Sequence, residues 1–282
     1  RGVFTHKEWA PANEDEIFLK ALVIVDSASK SMFAHAVPQK GVDEKGYIVD
    51  CFATDVAWLG WSRVIIRSDN EPAIAKLVVK TIKRLKVDGI DQASAEGSVP
   101  YDPQSNGAAE SAVGLLKGTV RTLQLGLEKQ IGARIPANHP LLTWLVRHAA
   151  YTRTARVRGD DGLTPYQRVK GRTTSGPKLV GFGESCRFKN RSHEPLSDNL
   201  TSRWHEGHWL GIDTKNGQYI YWNGAKIAYA RTLIRVNDHQ KWSSESLAKI
   251  QATPWDIHNA TEPELSLKNI SEPTRLTKIS YS

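Results

Sequence analysis

Val99-Pro-Tyr-Asp-Pro-Gln-Ser-Asn-Gly-Ala-Ala-Glu-Ser-Ala-Val113 decides how this chain is read, together with Ile65-Ile-Arg-Ser-Asp-Asn70 upstream. The first stretch is a turn that breaks into a helix and puts Glu110 on its first turns. The second is a short apolar strand that closes on Asp69. A carboxylate at a strand end and one on a nearby helix can converge on a shared hard cation. Magnesium prefers oxygen ligands, takes few protein carboxylates, and leaves positions for water and phosphate. Two such ions roughly 3.5–4 Å apart clamp an in-line phosphoryl displacement. Asp69 and Glu110 therefore suit half of a polynucleotidyl-transfer site. Taken singly, each has a plainer role: Asp69 as the N-cap of the next helix, Glu110 as a first-turn acid favoured by the helix dipole.

Working outward, Arg63–Ser68 is the strand that delivers Asp69. Before it, Ile17–Asp26 is a near-continuous apolar run, as in a strand buried on both faces. Ser31–Val37 is the next strand, closed by Pro38, and Tyr47–Leu59 has helical spacing through Ile48, Cys51, Phe52 and Val56. Pro72 opens another helix, with Ile74, Leu77, Val78, Ile82 and Leu85 as its apolar stripe. A short strand is expected near Val87–Gln92, a long helix over Ala108–Lys129, and further helices over Pro140–Thr154 and Leu163–Val169. Gly171–Pro177 reads as a linker. Beyond it come short β segments, with Asn216-Gly217 and Asn223-Gly224 as hairpin-turn signals. From Asn237 on, periodicity fades into Ser, Thr, Asn and Pro, as in a linker or tail.

Composition narrows the partners. The chain has 282 residues, is 40% hydrophobic and carries a net charge of +8, with a sequence pI of ≈ 9.4. It is long enough for two domains. No apolar run approaches the eighteen or so residues that span a bilayer, so no membrane partner is expected. Cys51 and Cys186 stand far apart, which argues against a disulfide framework. The charge suits a polyanion. Eleven Lys or Arg lie between Arg147 and Arg191 against Asp160, Asp161 and Glu184. They form either a phosphate-contacting surface or an ordinary solvated face.

On the long helix, Glu110, Val113, Lys117 and Arg121 follow i, i+3, i+7, i+11 and run nearly in line. Leu116, Val120, Leu123 and Leu127 supply the buried stripe beside them. A carboxylate followed by two cations suits a metal with DNA phosphate running past; a solvated polar face is the simpler alternative. Tyr101, Gln104, Ser105 and Asn106 sit in the turn before the helix, where Pro, Asp, Ser and Asn are also ordinary turn chemistry. Trp204, Trp209 and Trp222 fit core packing better than base stacking. His205 and His208, three apart with no second ligand pair, make a poor zinc site.

Ser68-Asp69-Asn70, followed by Pro100-Tyr-Asp-Pro-Gln-Ser-Asn-Gly107 and Glu110-Ser111, resembles the catalytic core of retroviral and retrotransposon integrases. The likeness covers residues 17–172 well and 179–236 more loosely, and the latter is similar to the segment after copia-type cores. Forty residues separate Asp69 from Glu110, somewhat more than is usual in the family; Asp88–Ser98 has room for the excess. The resemblance implies an α/β fold: an RNase H-like integrase core at 1–172, a linker at 173–178, a small SH3-like β-barrel at 179–236 and an irregular tail at 237–282. It implies an Asp, Asp, Glu triad holding Mg²⁺ or Mn²⁺, with Asp69 and Glu110 as two members. It also implies DNA contacts from Lys117, Asn106, Tyr101, Gln104 and Arg121. The implied activity is 3′-end processing and strand transfer on double-stranded DNA, both element ends and target, by a homo-oligomer in the nucleus. The family's first Asp lies on the strand before Ile17–Asp26, and none is found there. We therefore expect that strand to be truncated or missing, the chain to be an inactive fragment, and Asp26 not to replace the missing ligand. The alternatives are Asp26 as first ligand, a non-catalytic DNA-binding remnant, and an RNase H-like nuclease acting on hybrids.

Overall fold

The computed structural model describes residues 2–6, 19–68, 70–97, 103–174, 180–189, 203–258 and 268–269. Its first sheet is built from β1 (Gly2–His6), β2 (Ala21–Asp26), β3 (Met32–Ala36), β4 (Arg63–Ser68) and β5 (Gln92–Gly97), in the order β3-β2-β1-β4-β5. β1, β2 and β3 are antiparallel neighbours, whereas β4 runs parallel to β1 and β5 parallel to β4. A parallel pair needs a crossover. Here α1 (Tyr47–Leu59) leads into β4, and α2 (Pro72–Val87) joins β4 to β5. Both helices cover one face, where Leu22, Ile24, Phe33, Val64 and Ile66 interlock with Ile48, Phe52, Val56, Leu77 and Leu85.

The other face carries α3 (Pro103–Ile131) and, after the two-residue β6 (Ala133–Arg134), α4 (Leu141–Arg156). Val23 and Met32 pack there with Leu116, Val120 and Leu127 of α3 and Trp144 and Leu145 of α4. α4 also closes the edge of the sheet. Thr154 Oγ1 accepts from the Met32 N–H and donates to the Met32 carbonyl, both at 2.8 Å, so β3 offers less bare backbone to a stray strand. α5 (Pro165–Lys170) starts on a capping box between Thr164 and Gln167, with Pro165 at its first position.

A second sheet follows: β7 (Ser185–Lys189), β8 (Trp204–Ile212), β9 (Tyr219–Trp222), β10 (Ile227–Ala230) and β11 (Leu233–Arg235), all antiparallel, in the order β10-β9-β8-β7-β11. Both Asn-Gly pairs make turns: Gly217 and Gly224 have φ of 70° and 93°, and Asn216 and Asn223 side chains accept from the Gln218 and Lys226 N–H groups at 2.9 and 2.8 Å. Alternation buries both faces. Cys186, Phe188, Trp209, Tyr221 and Ala230 enclose one cluster. Leu210, Ile220, Trp222 and Ile227 join the cluster under α3 and α4. β8 crosses so close to β9 that a methyl group at Gly207 would come 2.5 Å from the Trp222 carbonyl oxygen.

Several expectations are corrected here. The first strand is not missing: β1 lies between β2 and β4. β5 lies at Gln92–Gly97, not Val87–Gln92, and α3 starts at Pro103, five residues early. The described strands of the second sheet are open, not a closed barrel, and they share a core with α3 and α4. Nor is the region after Asn237 structureless: α6 (Ser244–Ala248) follows a 3-10 turn at Asp238–Gln240, with Leu247, Ile250 and Ala252 fully buried. Trp144 Nε1 donates to the Ala252 carbonyl at 2.8 Å. β12 (Lys268–Asn269) pairs with β6. Among the described residues no helix is long and apolar enough to cross a membrane.

Candidate functional site

β4 sits beside β1 where the strand order reverses direction, and its last residue is Ser68. Ligands of open α/β sheets gather outside the carboxyl ends of strands at such a switch point. Asp69 follows Ser68 in the chain but lies outside the described residues. Asn70 is described, and its side chain lies against the end of β5: a methyl group at Gly97 would come 2.5 Å from Asn70 Oδ1. Arg67 and Glu96 bridge β4 and β5 at 2.9 Å on the exposed surface.

α3 crosses β1 and β2 on the sheet face opposite α1 and α2. Its inward stripe is Ala109, Ala112, Leu116, Val120 and Leu127, all buried, with Leu123 partly so. At 100° per residue, Glu110, Lys117 and Arg121 fall on one flank of that stripe, and Ser111, Leu115 and Thr119 on the other. The second flank faces α4, whose Arg153 Nη1 donates to Thr119 Oγ1 at 3.3 Å. Glu110 thus points away from α4; it and Arg121 are exposed and Lys117 is half-buried. Gln104 and Asn106 belong to the first turn of α3 and not to a preceding turn. Tyr101 lies outside the described residues.

Asp26 is engaged elsewhere. It is fully buried and accepts hydrogen bonds from Ser29 Oγ at 2.6 Å, Ser29 N–H at 2.9 Å and Trp61 Nε1 at 3.3 Å. Along β2 it alternates with Val23 and Val25 and shares a face with Leu22 and Ile24, the side covered by α1 and α2. That is the face opposite α3. Its carboxylate locks the β2–β3 turn and does not face Glu110.

Among the described residues, the cations of the basic stretch Arg147–Arg191 do not form one surface. Arg147 is paired with Asp213 at 3.1 Å, Arg187 with Glu206 at 3.2 Å, and Arg168 with Asp161 at 2.6 Å. Arg168 holds the Asp161 carboxyl down to about 2. Lys178 and Arg191 lie outside the described residues. Helical turns and hairpins rotate successive cations to different sides, which a linear count of charge cannot register. The second flank of α3, which the sequence did not single out, borders a cleft of about 680 Å³ with Lys30, Arg153 and Arg158 around an apolar floor of Val25, Met32 and Leu115. Of the tryptophans, Trp209 and Trp222 are buried and Trp204 is half-buried. His208 is buried and its Nδ1 lies 3.2 Å from the Gly183 carbonyl, while His205 is exposed.

Among the described residues no group of three or more His, Cys, Asp and Glu could hold a metal ion. Magnesium commonly binds through one or two carboxylates with water and substrate phosphate completing its shell. The donor chemistry of Asp69 and Glu110 fits that mode, not an all-protein cage.

No protein-family model matches this chain, and no curated protein does. Among solved structures it is similar to the catalytic core domain of BIV integrase, with 19% identity and a TM-score of 0.41 over 60% of this chain and 92% of that one. The HTLV-2 integrase catalytic core domain in complex with magnesium, in a trimeric form, gives 16%, 0.42, 60% and 95%. A simian T-cell lymphotropic virus intasome in complex with the PP2A regulatory subunit B56 gamma gives 14%, 0.39, 84% and 81%.

Proposed function

We propose that this chain is an integrase-type, RNase H-like core with an attached β module, built to bind double-stranded DNA and Mg²⁺ or Mn²⁺ at Asp69 and Glu110. One observation carries the reading. The strand that precedes Asp69 lies at the switch point of a β3-β2-β1-β4-β5 sheet, and α3 crosses the neighbouring strand with Glu110 on an open flank. The Pro-Tyr-Asp-Pro-Gln-Ser-Asn-Gly run ahead of Glu110 supports integrase over a hybrid-cutting nuclease. Bound metal would lower the pKa of an attacking water or hydroxyl and stabilise charge on the phosphorus centre. The protein's own part is to hold the two carboxylates, with Lys117 and Arg121 about two and three helical turns further along the same flank for phosphate. The reading includes copia-type ancestry, a homo-oligomer and a nuclear place of action.

A second reading is a DNA-binding relative without turnover. The two share DNA affinity and differ in chemistry. Duplex binding should weaken with salt, by roughly one logarithmic unit of slope per phosphate neutralised. Lys117→Ala should remove about one unit of that slope. Thermal stabilisation by Mn²⁺ in the wild type, lost in Asp69→Asn and Glu110→Gln, tests the metal site. Metal-dependent strand transfer by the chain would exclude the inactive reading; equal metal response in all three proteins would remove the site altogether.

A further inference from the structure

A groove of about 910 Å³ opens on the side of the molecule away from Glu110, between α1, the end of α2, α5 and the β8–β9 turn. None of its lining residues belongs to α3. α5 is the ridge between the two depressions: Pro165 and Arg168 face the cleft beside α3, and Tyr166 and Lys170 face this groove.

Its walls carry aromatic rings that keep part of their surface open. Trp58, Tyr151, Tyr166 and Tyr219 are all half-buried. Trp58 is fixed by an edge contact to Phe33, 5.4 Å between centroids, and by Tyr166 at 5.7 Å. The Lys170 ammonium donates to the Trp58 carbonyl and lies 4.5 Å from the centre of its ring.

The charges are unevenly matched. Arg84 is held by Asp50 at 2.5 Å and Asp88 at 3.1 Å, and Asp213 by Arg147. Those carboxylates are already engaged. Among the described residues no carboxylate pairs with Arg172, Lys215 or Arg231, which line the same groove. Partial burial, and then the Arg172 guanidinium, push the Lys170 ammonium below its ordinary range. A like-charged pair held together without a counter-charge leaves positive potential for an anion to meet.

Cations along a channel with open aromatic faces between them are the pattern that binds single-stranded nucleic acid: phosphates meet the charges and bases stack on the rings. A duplex hides its base faces and would leave the rings unused. We infer that this groove binds a single strand of nucleic acid without sequence preference, as a site separate from the Glu110 flank. The inference rests on the groove residues alone and holds whether or not Asp69 and Glu110 turn over DNA.

The test uses the full chain and fluorescently labelled oligothymidylate, with a duplex of equal length as competitor, read by anisotropy across a salt series. Arg172→Glu with Arg231→Glu should lower affinity on the order of tenfold or more and flatten the salt slope. Tyr166→Leu and Tyr219→Leu should each lower it on the order of tenfold with the slope unchanged, since stacking releases no counterions. Lys249→Ala, exposed and outside the groove, should bind the single strand as the wild type does. Photo-cross-linking of 5-iodouracil oligonucleotide to the wild type should mark peptides containing Trp58, Tyr166 or Tyr219. Unchanged affinity in the groove variants, cross-links confined to α3, or full displacement by an equal amount of duplex would overturn the assignment.

Discussion

His35 and His148 are both buried, and their surroundings could hardly differ more. His35 projects from β3 toward α1, with Nε2 2.6 Å from Asp55 Oδ2. Tyr47, Cys51 and Asp55 recur every four residues on α1, and Arg147 lies near all three. His148, on α4, is stacked on Phe182 at 5.3 Å and meets the edge of Trp209 at 5.0 Å, at the seam with the second sheet. Burial alone would push His35 down, but the Asp55 carboxylate holds it up, to about 10. At His148 burial acts unopposed and pushes the imidazole down to about 4. Within the apolar layer under α1 His35 is thus matched by a charged partner, whereas at the α4 seam His148 meets rings, and the same side chain takes opposite protonation states in each.

That contrast can be broken at the seam first. Trp144 is almost wholly buried among α3, α4 and the segment around Ala252. Trp144→Ala should cost about 3–5 kcal/mol in chemical denaturation, from lost burial and a cavity, and leave the Ala252 carbonyl without its donor. A loss below about 1 kcal/mol would mean that the seam is not a shared core.

In the layer under α1, His35→Leu leaves Asp55 buried beside hydrocarbon, and about 3–5 kcal/mol should be lost. His35→Leu with Asp55→Leu should recover most of it, because two apolar groups need no mutual charge. A double mutant no better than the single would show that the pair contributes more than it costs to desolvate.

The pH limbs should then separate. The folded pKa of His148 lies below its unfolded value of 6.5. Its stabilising contribution is present above 6.5 and is lost as pH falls toward about 4, on the order of 3 kcal/mol in full. The folded pKa of His35 lies above 6.5. Its contribution is complete below 6.5 and is lost as pH rises through about 10. Denaturation midpoints measured across pH should fall on both sides; His148→Phe should flatten the acid limb and the His35, Asp55 double mutant the alkaline one. At neutral pH, His148→Phe should stay within about 1.5 kcal/mol of wild type, since the ring is replaced by one of similar shape in an apolar slot.

How far the sequence foretold these regions differs by element. α1 and β4 match their expected bounds because the local signals agree: helical spacing between Gly46 and Gly60, both with positive φ, and an apolar run ending at Ser68. β5 was displaced because only Ala93 along it is buried. Its status as a strand comes from pairing with β4, which no local pattern records. Pro103-Gln-Ser-Asn-Gly107 looks like turn chemistry, yet Pro is equally at home in the first turn of a helix, and the long α3 begins there. Leu247, Ile250 and Ala252 are too sparse to announce a core segment, and their burial depends on Trp144, more than a hundred residues earlier.

For the candidate site the same boundary holds. By itself the sequence determined the carboxylate types, the alignment of Glu110, Lys117 and Arg121 on one helix flank, and the two Asn-Gly hairpins, because each depends on residues within a few positions of one another. Only the tertiary structure decided the rest. It put a strand without an Asp between β2 and β4 and turned Asp26 to the face opposite α3. It also split the basic stretch among ion pairs and two depressions, and brought Trp58, Tyr166, Lys170 and Tyr219 from three elements to one groove. Which face a side chain takes, and which distant charge answers it, is set by long-range packing, where local periodicity carries no information.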